Sequence, residues 1–151
     1  MQAALAEVPE LAAVLAYVLG GPETGQALIA AVDYVCFTGS TATGRTVAET
    51  AARCLIPANL ELGGKDPMIV LDGADPVAAA RLALRASVAA TGQACQSIER
   101  VYVPRAMSAP FLAELSARAA EVEPNWPDIN KGVLGPFIFA PQALKVAEQI
   151  D

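Results

Sequence analysis

The sequence predicts an α/β fold with a largely parallel sheet. Short apolar segments alternate along the chain with segments of helical character. The apolar segments, such as 34–37 and 68–71, are continuously apolar instead of alternating with polar residues, which is typical of strands buried on both faces of a parallel sheet. Hydrophobic residues make up 54% of the 151 residues and charged residues 17%. The chain is therefore long enough and apolar enough to build a real core.

Three helices and three strands are predicted in the first part of the chain. Apolar runs of strand length and the glycines and prolines between them set their limits. In order, we expect the tail of a helix at 2–8, a strand at 14–18 closed by a Gly-Gly-Pro turn at 20–22, a helix at 24–31, a strand at 34–37, a helix from the turn 39–44 to about residue 53, and a strand ending at 60–61.

The second part continues the same alternation. Asp75 followed by Pro76 predicts a capped helix that runs to about Ala90. Ser108 is predicted to cap another helix, with Phe111, Leu112 and Leu115 on one face. The remaining elements are a strand at 68–71, a break at 92–95, a strand at 100–103, a loop at 123–128 and a closing helix at 141–150. Both termini fall at helices, so we expect the chain to be a segment of something larger.

Charge and composition exclude several classes of partner. The formal net charge is −6 and no basic stripe is present, which argues against nucleic-acid binding. The first residues lack the basic region of a secretory signal, and no apolar run approaches the ~18 residues of a membrane span. Three cysteines at unrelated spacings do not form a disulfide framework, and they fit a reducing cytoplasm. We therefore expect a cytoplasmic protein with no membrane partner.

The absence of histidine narrows the chemistry further. The sequence contains none, which removes Ser-His-Asp and Cys-His catalysis and histidine-ligated zinc. The three cysteines form no CxxC pair, so no metal site is expected. Acid–base chemistry must then depend on Asp, Glu, Lys, Tyr or Cys.

The turn Gly39–Gly44 has the strand–turn–helix pattern of a phosphate site. Glycines permit close backbone approach, and a helix N-terminus offers free N–H groups and the positive end of the helix dipole. With Arg45 and Thr46 behind it, the turn is one residue away from the P-loop pattern GxxxxGK(S/T). Arginine does not replace the P-loop lysine, so a P-loop nucleotide-binding domain is the weaker alternative. An ordinary turn with a helix cap is the other.

Cys95 and Glu61 are the candidate reactive groups. Cys36 lies within an apolar strand and Cys54 precedes Leu55 and Ile56, so both are expected to be buried. Cys95 instead follows a glycine-initiated break and has polar neighbours, where a reactive thiolate would sit. Glu61 ends an apolar strand, and such strand ends face the ligand crevice of α/β proteins. The alternatives are that Cys95 has no catalytic role and that Glu61 is a strand-end carboxylate solvated at the surface.

Four segments together resemble the aldehyde dehydrogenase family. The segment 60–67, LELGGKDP, is similar to the family's glutamate signature. The segment 92–95, GQAC, with Arg100 five residues beyond Cys95, is similar to its cysteine signature. The turn that begins FTGS at 37–40 resembles the family's pyrophosphate turn, and 132–136 resembles a later loop. The order of the segments and the separation of Glu61 from Cys95 also agree with the family.

The resemblance implies an NAD- or NADP-dependent oxidation of an aldehyde to a carboxylic acid. Cys95 would be the nucleophile that forms a thiohemiacetal and then a thioester, and Glu61 would be the base. Gly39, Ser40 and Gly44 would hold the pyrophosphate, with Leu62 near the nicotinamide. Residues 1–62 would be the C-terminal part of the cofactor-binding domain, a partial Rossmann-like parallel sheet. Residues 63–151 would be the N-terminal part of an α/β catalytic domain.

The family's oxyanion asparagine and adenosine-ribose residues have no counterpart here, because no segment before Gly20 resembles either. We therefore expect a fragment of an enzyme with little activity alone, which associates with the missing remainder or forms a homo-oligomer. One alternative is a natural, non-catalytic truncated product that associates with a partner subunit. Another is a related reductase of activated carboxylates, which Glu61 in its full motif disfavours.

Overall fold

The computed structural model describes residues 2–150 and the side chains of residues 3–150. The chain divides into two compact units, Met1–Leu62 and Gly63–Asp151. Each unit contains a two-stranded parallel sheet with helices packed on it, so the predicted α/β class with parallel strands is confirmed. The assignment of these units to a cofactor domain and a catalytic domain stays a prediction. No helix within residues 2–150 combines the length and apolar character needed to cross a membrane.

Of the four helices that the structure describes in the first unit, two pack on one face of the sheet. Its elements are α1 (Gln2–Ala6), α2 (Pro9–Ala12), α3 (Pro22–Ile29), β1 (Val35–Gly39), α4 (Thr41–Arg53) and β2 (Ala58–Leu62). Strand β1 pairs with β2 from Val35 opposite Ala58 to Gly39 opposite Leu62. The core consists of Ile29, Val47 and Ala51, against which alternate strand residues such as Phe37 and Leu60 pack. Because side chains alternate across a strand, the residues between them face away from this core.

The predicted strand at 14–18 is wrong. These residues form no strand, and the side chain of Val14 is 81% exposed. A strand is stable only when a neighbouring strand satisfies its backbone N–H and C=O groups. In the first unit, as far as the structure describes it, β1 and β2 pair only with each other. The apolar run is therefore left without a partner.

The second unit is built around an alanine-rich helix. Its elements are β3 (Asp66–Ile69), α5 (Pro76–Val88), β4 (Ile98–Tyr102), α6 (Ser108–Ala119) and α7 (Gln142–Ile150), with short 3₁₀ turns at Ala89–Gly92 and Arg105–Met107. Ala79, Ala80 and Ala83 are buried with Val70 and Phe111 in one core. Small side chains let α5 lie close to both the sheet and α6. The predicted cap of α5 is confirmed, because the Asp75 carboxylate accepts a hydrogen bond of 2.9 Å from the Val77 amide.

An ion pair on the surface joins α5 to α6. The Arg81 guanidinium lies 2.7 Å from the Glu114 carboxylate, and Arg118 donates to the same oxygen at 2.9 Å. The hydrogen bonds from Arg81 and then from Arg118 hold the pKa of the Glu114 carboxyl below its ordinary value. A carboxyl with a lowered pKa stabilises the fold above its ordinary pKa, and this contribution is lost as the pH falls through the lowered value.

Two predictions for α6 are wrong. Ser108 does not cap the helix but is its first residue, and its hydroxyl donates to the Arg105 carbonyl at 2.8 Å. The 3₁₀ turn before the helix supplies this acceptor, which the sequence does not reveal. Leu112 does not share the buried face of Phe111 and Leu115, since its side chain is 56% exposed. Residues four apart lie on one helix face, whereas adjacent residues lie about 100° apart.

Candidate active site

Cys95 lies at an exposed turn between α5 and β4. The turn is entered through three successive residues in the left-handed region, with φ of 50° at Ala90, 61° at Thr91 and 69° at Gly92. Only the glycine adopts this conformation without steric cost. The Cys95 thiol is exposed and donates to the Gln96 side-chain oxygen at 3.1 Å. An accessible thiol beside a hydrogen-bonding amide fits the predicted nucleophile.

A buried serine closes the turn around the cysteine. Ser97 is 5% exposed, and its hydroxyl accepts a hydrogen bond of 3.3 Å from the Ala94 amide. The Ser97 amide in turn donates to the Ala94 carbonyl at 3.1 Å. On the α5 side, the Ser87 hydroxyl lies 2.8 Å from the Ile98 carbonyl, at the start of β4. Cys95 is thus presented between two residues that are bonded to each other.

A later segment, Leu134–Ile138, is fastened to the residues just before Cys95. The Gln93 side chain donates to the Pro136 carbonyl at 3.0 Å and accepts from the Ile138 amide at 2.8 Å. The Thr91 hydroxyl accepts from the Gly135 amide at 3.0 Å. Neither Thr91 nor the role of Gln93 is predictable from the residues around Cys95. The one indication in the sequence that this later segment belongs to the site is the resemblance of 132–136 to a family loop, noted above.

Glu61 lies on the uncovered face of the β1–β2 sheet. It is exposed and lies opposite Thr38 in the register. Asn59, on the same face, donates from its amide to Glu61 Oε1 at 3.1 Å, and the same nitrogen lies 3.7 Å from Cys36 Sγ. Asn59 therefore orients the carboxylate, a contact that sequence reasoning missed. Glu61 belongs to the first unit and Cys95 to the second.

The predicted burial of the other two cysteines is wrong. Cys36 and Cys54 are both exposed. Cys36 lies on the same sheet face as Asn59, opposite the core, and Cys54 is the C-cap residue directly after α4. An apolar strand is buried on both faces only when both faces are covered. Exposure alone therefore does not distinguish Cys95 from the other thiols.

The four predicted cofactor residues lie together where β1 passes into α4. Ser40 caps α4, and its hydroxyl accepts from the Thr43 amide at 3.2 Å. Gly39 pairs with Leu62 in the register. Gly44 is buried in the first turn of α4, where a Cβ atom would stand 2.7 Å from a methyl carbon of Leu62. Gly44 thus permits the close contact of helix and strand.

The N-terminus of α4 has the geometry of an anion site. The first amides of a helix have no carbonyl partner within the helix. The Ser40 hydroxyl satisfies the amide of Thr43, which leaves those of Thr41 and Ala42 for a ligand. The P-loop alternative is wrong, because α4 already begins at Thr41 and no long glycine-rich loop separates it from β1.

A mainly apolar groove lies beside this helix N-terminus. It has a volume of about 790 Å³ and runs between α3 and α4 along β1. Ile29, Val32 and Val47 contribute apolar surface, while Thr43 lines the groove and also belongs to the first turn of α4. The sequence did not predict this groove. Its size and apolar lining suit a flat aromatic group attached to a phosphate.

Comparison with known proteins identifies the family. Residues 2–151 match the family described as "Aldehyde dehydrogenase family". The chain belongs to the aldehyde dehydrogenase family.

Individual relatives are considerably longer. The chain is 52% identical over 94 residues to a Mycolicibacterium smegmatis protein provisionally named succinate-semialdehyde dehydrogenase (NADP(+)), an alignment that covers 62% of this chain and 18% of the relative. It is similar to the structure of PutA, a provisionally assigned aldehyde dehydrogenase from Anabaena variabilis, with a TM-score of 0.88, 51% identity, and coverage of 98% of this chain and 32% of that chain. A Mycobacterium tuberculosis aldehyde dehydrogenase complexed with NAD+ matches with a TM-score of 0.77, 35% identity, and coverage of 87% and 28%. The chain thus spans 18% to 32% of these proteins.

Proposed function

We propose that this chain carries the nucleophile, the base and part of the cofactor site for NAD- or NADP-dependent oxidation of an aldehyde to a carboxylic acid. The observation that carries the proposal is the position of the Cys95 thiol. It is exposed, it belongs to a GQAC motif, and it lies in a turn held by hydrogen bonds from Ser97 and Gln93. Family membership supports the reaction class. The names of the relatives support both cofactors, since one is given with NADP(+) and another is complexed with NAD+.

Cys95 acts as its thiolate. The sulfur attacks the aldehyde carbon, a C–S bond forms, and the carbonyl π electrons move to oxygen to give a thiohemiacetal. A bound nicotinamide would supply the hydride acceptor for the oxidation of this species to a thioester. Water then attacks the thioester carbon, and the Cys95 sulfur leaves as the thiolate. The carboxylic acid is released and the thiol is ready for another cycle.

Glu61 is proposed as the general base. By resemblance, its carboxylate takes a proton from the Cys95 thiol or from the attacking water. The hydrogen bond from Asn59 supports this role, because it fixes one oxygen of the carboxylate and leaves the other to accept a proton. Glu61 also disfavours the related reductases, which often lack this residue.

The residues at the start of α4 are proposed to bind the dinucleotide. The amides of Thr41 and Ala42 suit a pyrophosphate, which Gly39, Ser40 and Gly44 would approach closely. The groove between α3 and α4 suits the adenine ring, and Leu62 would contact the nicotinamide. The groove volume and the unsatisfied helix amides support this assignment.

The domain roles, location and assembly are proposals of the same kind. Residues 1–62 would be the C-terminal part of the cofactor domain, and residues 63–151 the N-terminal part of the catalytic domain of a cytoplasmic enzyme. Association with the remainder of such an enzyme, or a homo-oligomer, is supported by exposed apolar side chains such as Leu55, Val14 and Ile138. The same surfaces would serve a non-catalytic chain that binds a partner subunit.

The proposed nucleophile can be tested without turnover. When the chain is treated with 4-nitrophenyl acetate, we expect peptide mass mapping to find the acetyl group on Cys95 before Cys36 or Cys54. All three thiols are exposed, so selectivity must come from the chemistry of the turn. Assays with a panel of aldehydes and NAD should meanwhile show little NADH, because accurate positioning contributes about 7–11 kcal/mol to such steps. Acetylation of Cys36 or Cys54 first would contradict the proposal.

Binding of NAD to the chain is expected to be weak, with a dissociation constant of about 1 mM or higher. The chain offers a helix N-terminus and a groove but, by resemblance, not the residues that hold the adenosine ribose. In an NMR titration, pyrophosphate alone should shift the amides of Thr41 and Ala42, whereas adenosine alone should shift Thr46 and Val47 in the groove. Micromolar binding, or shifts confined to other residues, would show that the site is assigned wrongly.

A further inference from the structure

We propose that Thr91 and Gln93 are positioning residues that hold the Cys95 turn in place through the segment Leu134–Ile138. The three hydrogen bonds between this segment and the side chains of Thr91 and Gln93 are called the clamp below. This inference rests on the proposed role of Cys95 as the nucleophile. It goes further by making the position of the thiol depend on residues about forty positions later in the chain.

The backbone before Cys95 needs an external restraint. Ala90 and Thr91 have φ of 50° and 61°, a conformation that disfavours side chains with a Cβ and most of all a β-branched one such as Thr91. Such residues persist only where the surroundings hold them there. The Thr91 hydroxyl is engaged by the Gly135 amide at 3.0 Å, which is one such restraint.

Gln93 provides the second restraint, two residues before the thiol. Its side-chain amide donates to the Pro136 carbonyl and accepts from the Ile138 amide, so one side chain holds two backbone groups of the later segment. Both the nitrogen and the oxygen of the side-chain amide are therefore hydrogen-bonded. Rotating the side chain would break at least one of these two bonds. The two side-chain hydrogen bonds restrain the backbone of Gln93. They thereby restrain the start of the turn that presents Cys95.

The clamp segment is itself held firmly. Leu134 forms a parallel bridge with Pro124, and the Asn125 amide donates to the Leu134 carbonyl at 2.8 Å. Gly132 has φ of 74°, and a Cβ atom there would stand 2.4 Å from the Pro124 carbonyl oxygen. Only glycine fits this approach. The start of the clamp segment is therefore bonded to Pro124 and Asn125, so it does not depend on the Cys95 turn alone for its position.

Amide hydrogen exchange measures how readily the Cys95 turn opens. Gln93→Ala removes both bonds of the side-chain amide, and Thr91→Val removes the acceptor for Gly135 while keeping the shape of the side chain. Thr91→Ser keeps the hydroxyl and is the matched control. We expect exchange at Ala94 and Ser97, whose amides close the turn, to become about tenfold faster in the first two variants. Exchange in Thr91→Ser should stay within about twofold of the wild type.

A second measurement links the clamp to the thiol. Acetylation of Cys95 by 4-nitrophenyl acetate should fall about tenfold in Gln93→Ala and Thr91→Val, because any preference of the reagent for Cys95 over the other exposed thiols must come from the turn that these residues hold. Acetylation of Cys36, in the first unit, should not change. The amide of Ala80, buried in α5 of the same unit, should keep its exchange rate in every variant, which excludes general unfolding of the second unit.

The outcomes separate this inference from the proposed function. Unchanged exchange at Ala94 and Ser97 in both variants would overturn the clamp. Faster exchange with unchanged Cys95 acetylation would overturn the positioning role, since the clamp would then hold the backbone without orienting the sulfur. If wild-type Cys95 is acetylated no faster than Cys36, the proposed nucleophile fails, while the exchange rates still decide whether the clamp holds the turn.

Discussion

Cys95→Ala is expected to lose the thiol-dependent hydrolysis of 4-nitrophenyl acetate. Ester hydrolysis needs a thiolate and water but no dinucleotide, so it should survive in this chain better than aldehyde oxidation does. Removing the nucleophile leaves only the reaction with water, and we expect the rate to fall by about 10²-fold or more, to background. The measurement is the release of nitrophenolate by the wild type and the variant at equal concentration and neutral pH.

Cys36→Ala is the matched control for this experiment. Cys36 is equally an exposed thiol, so its removal tests whether any surface sulfur suffices. We expect Cys36→Ala to retain the wild-type rate. Equal rates for the wild type and Cys95→Ala would remove the main support for the proposed nucleophile. A loss in Cys36→Ala instead would move the reactive thiol to the open face of the first sheet.

Phe111→Ala is expected to lower the free energy of unfolding of the second unit strongly. Phe111 is 2% exposed and lies in one core with Val70 and the alanines of α5. The alanines have no long side chains that could move into the cavity. We therefore expect the free energy of unfolding of the second unit to fall by about 3–5 kcal/mol. Urea titration followed by circular dichroism measures this difference, provided that the dependence on urea is unchanged.

Leu112→Ala is the adjacent control. The same helix loses a side chain of similar class, but this side chain faces solvent. The expected change in the free energy of unfolding is within about 0.5 kcal/mol. If Leu112→Ala and Phe111→Ala cost the same, the orientation of α6 described above would be incorrect.

Features encoded by neighbouring residues were predictable from the sequence. The cap at Asp75 depends on Pro76 and on the amide of Val77, all within three residues. The turn after Gly39 was recognised for the same reason, although α4 begins earlier than predicted, at Thr41. The exposed position of Cys95 followed from the glycine and the polar residues around it.

Features that depend on distant residues were not predictable. The run at 14–18 has the composition of a strand, but strand formation requires a neighbour that composition does not specify. Cys36 was expected to be buried because the sequence shows an apolar strand but not which faces are covered. The bonds of Gln93 to Pro136 and Ile138 join residues 43 and 45 positions apart. No local pattern indicates such a pairing.

Because the Gln93 amide is uncharged, its hydrogen bonds should depend little on ionic strength. The Arg81–Glu114 contact between α5 and α6 is an exposed pair of opposite charges, which mobile ions screen. In 1 M salt the screening length falls to about 3 Å, so this contact should weaken. The contacts of Gln93 with Pro136 and Ile138 carry no net charge and should persist. Concentrated salt is therefore expected to weaken the Arg81–Glu114 contact between α5 and α6 while Cys95 keeps its place.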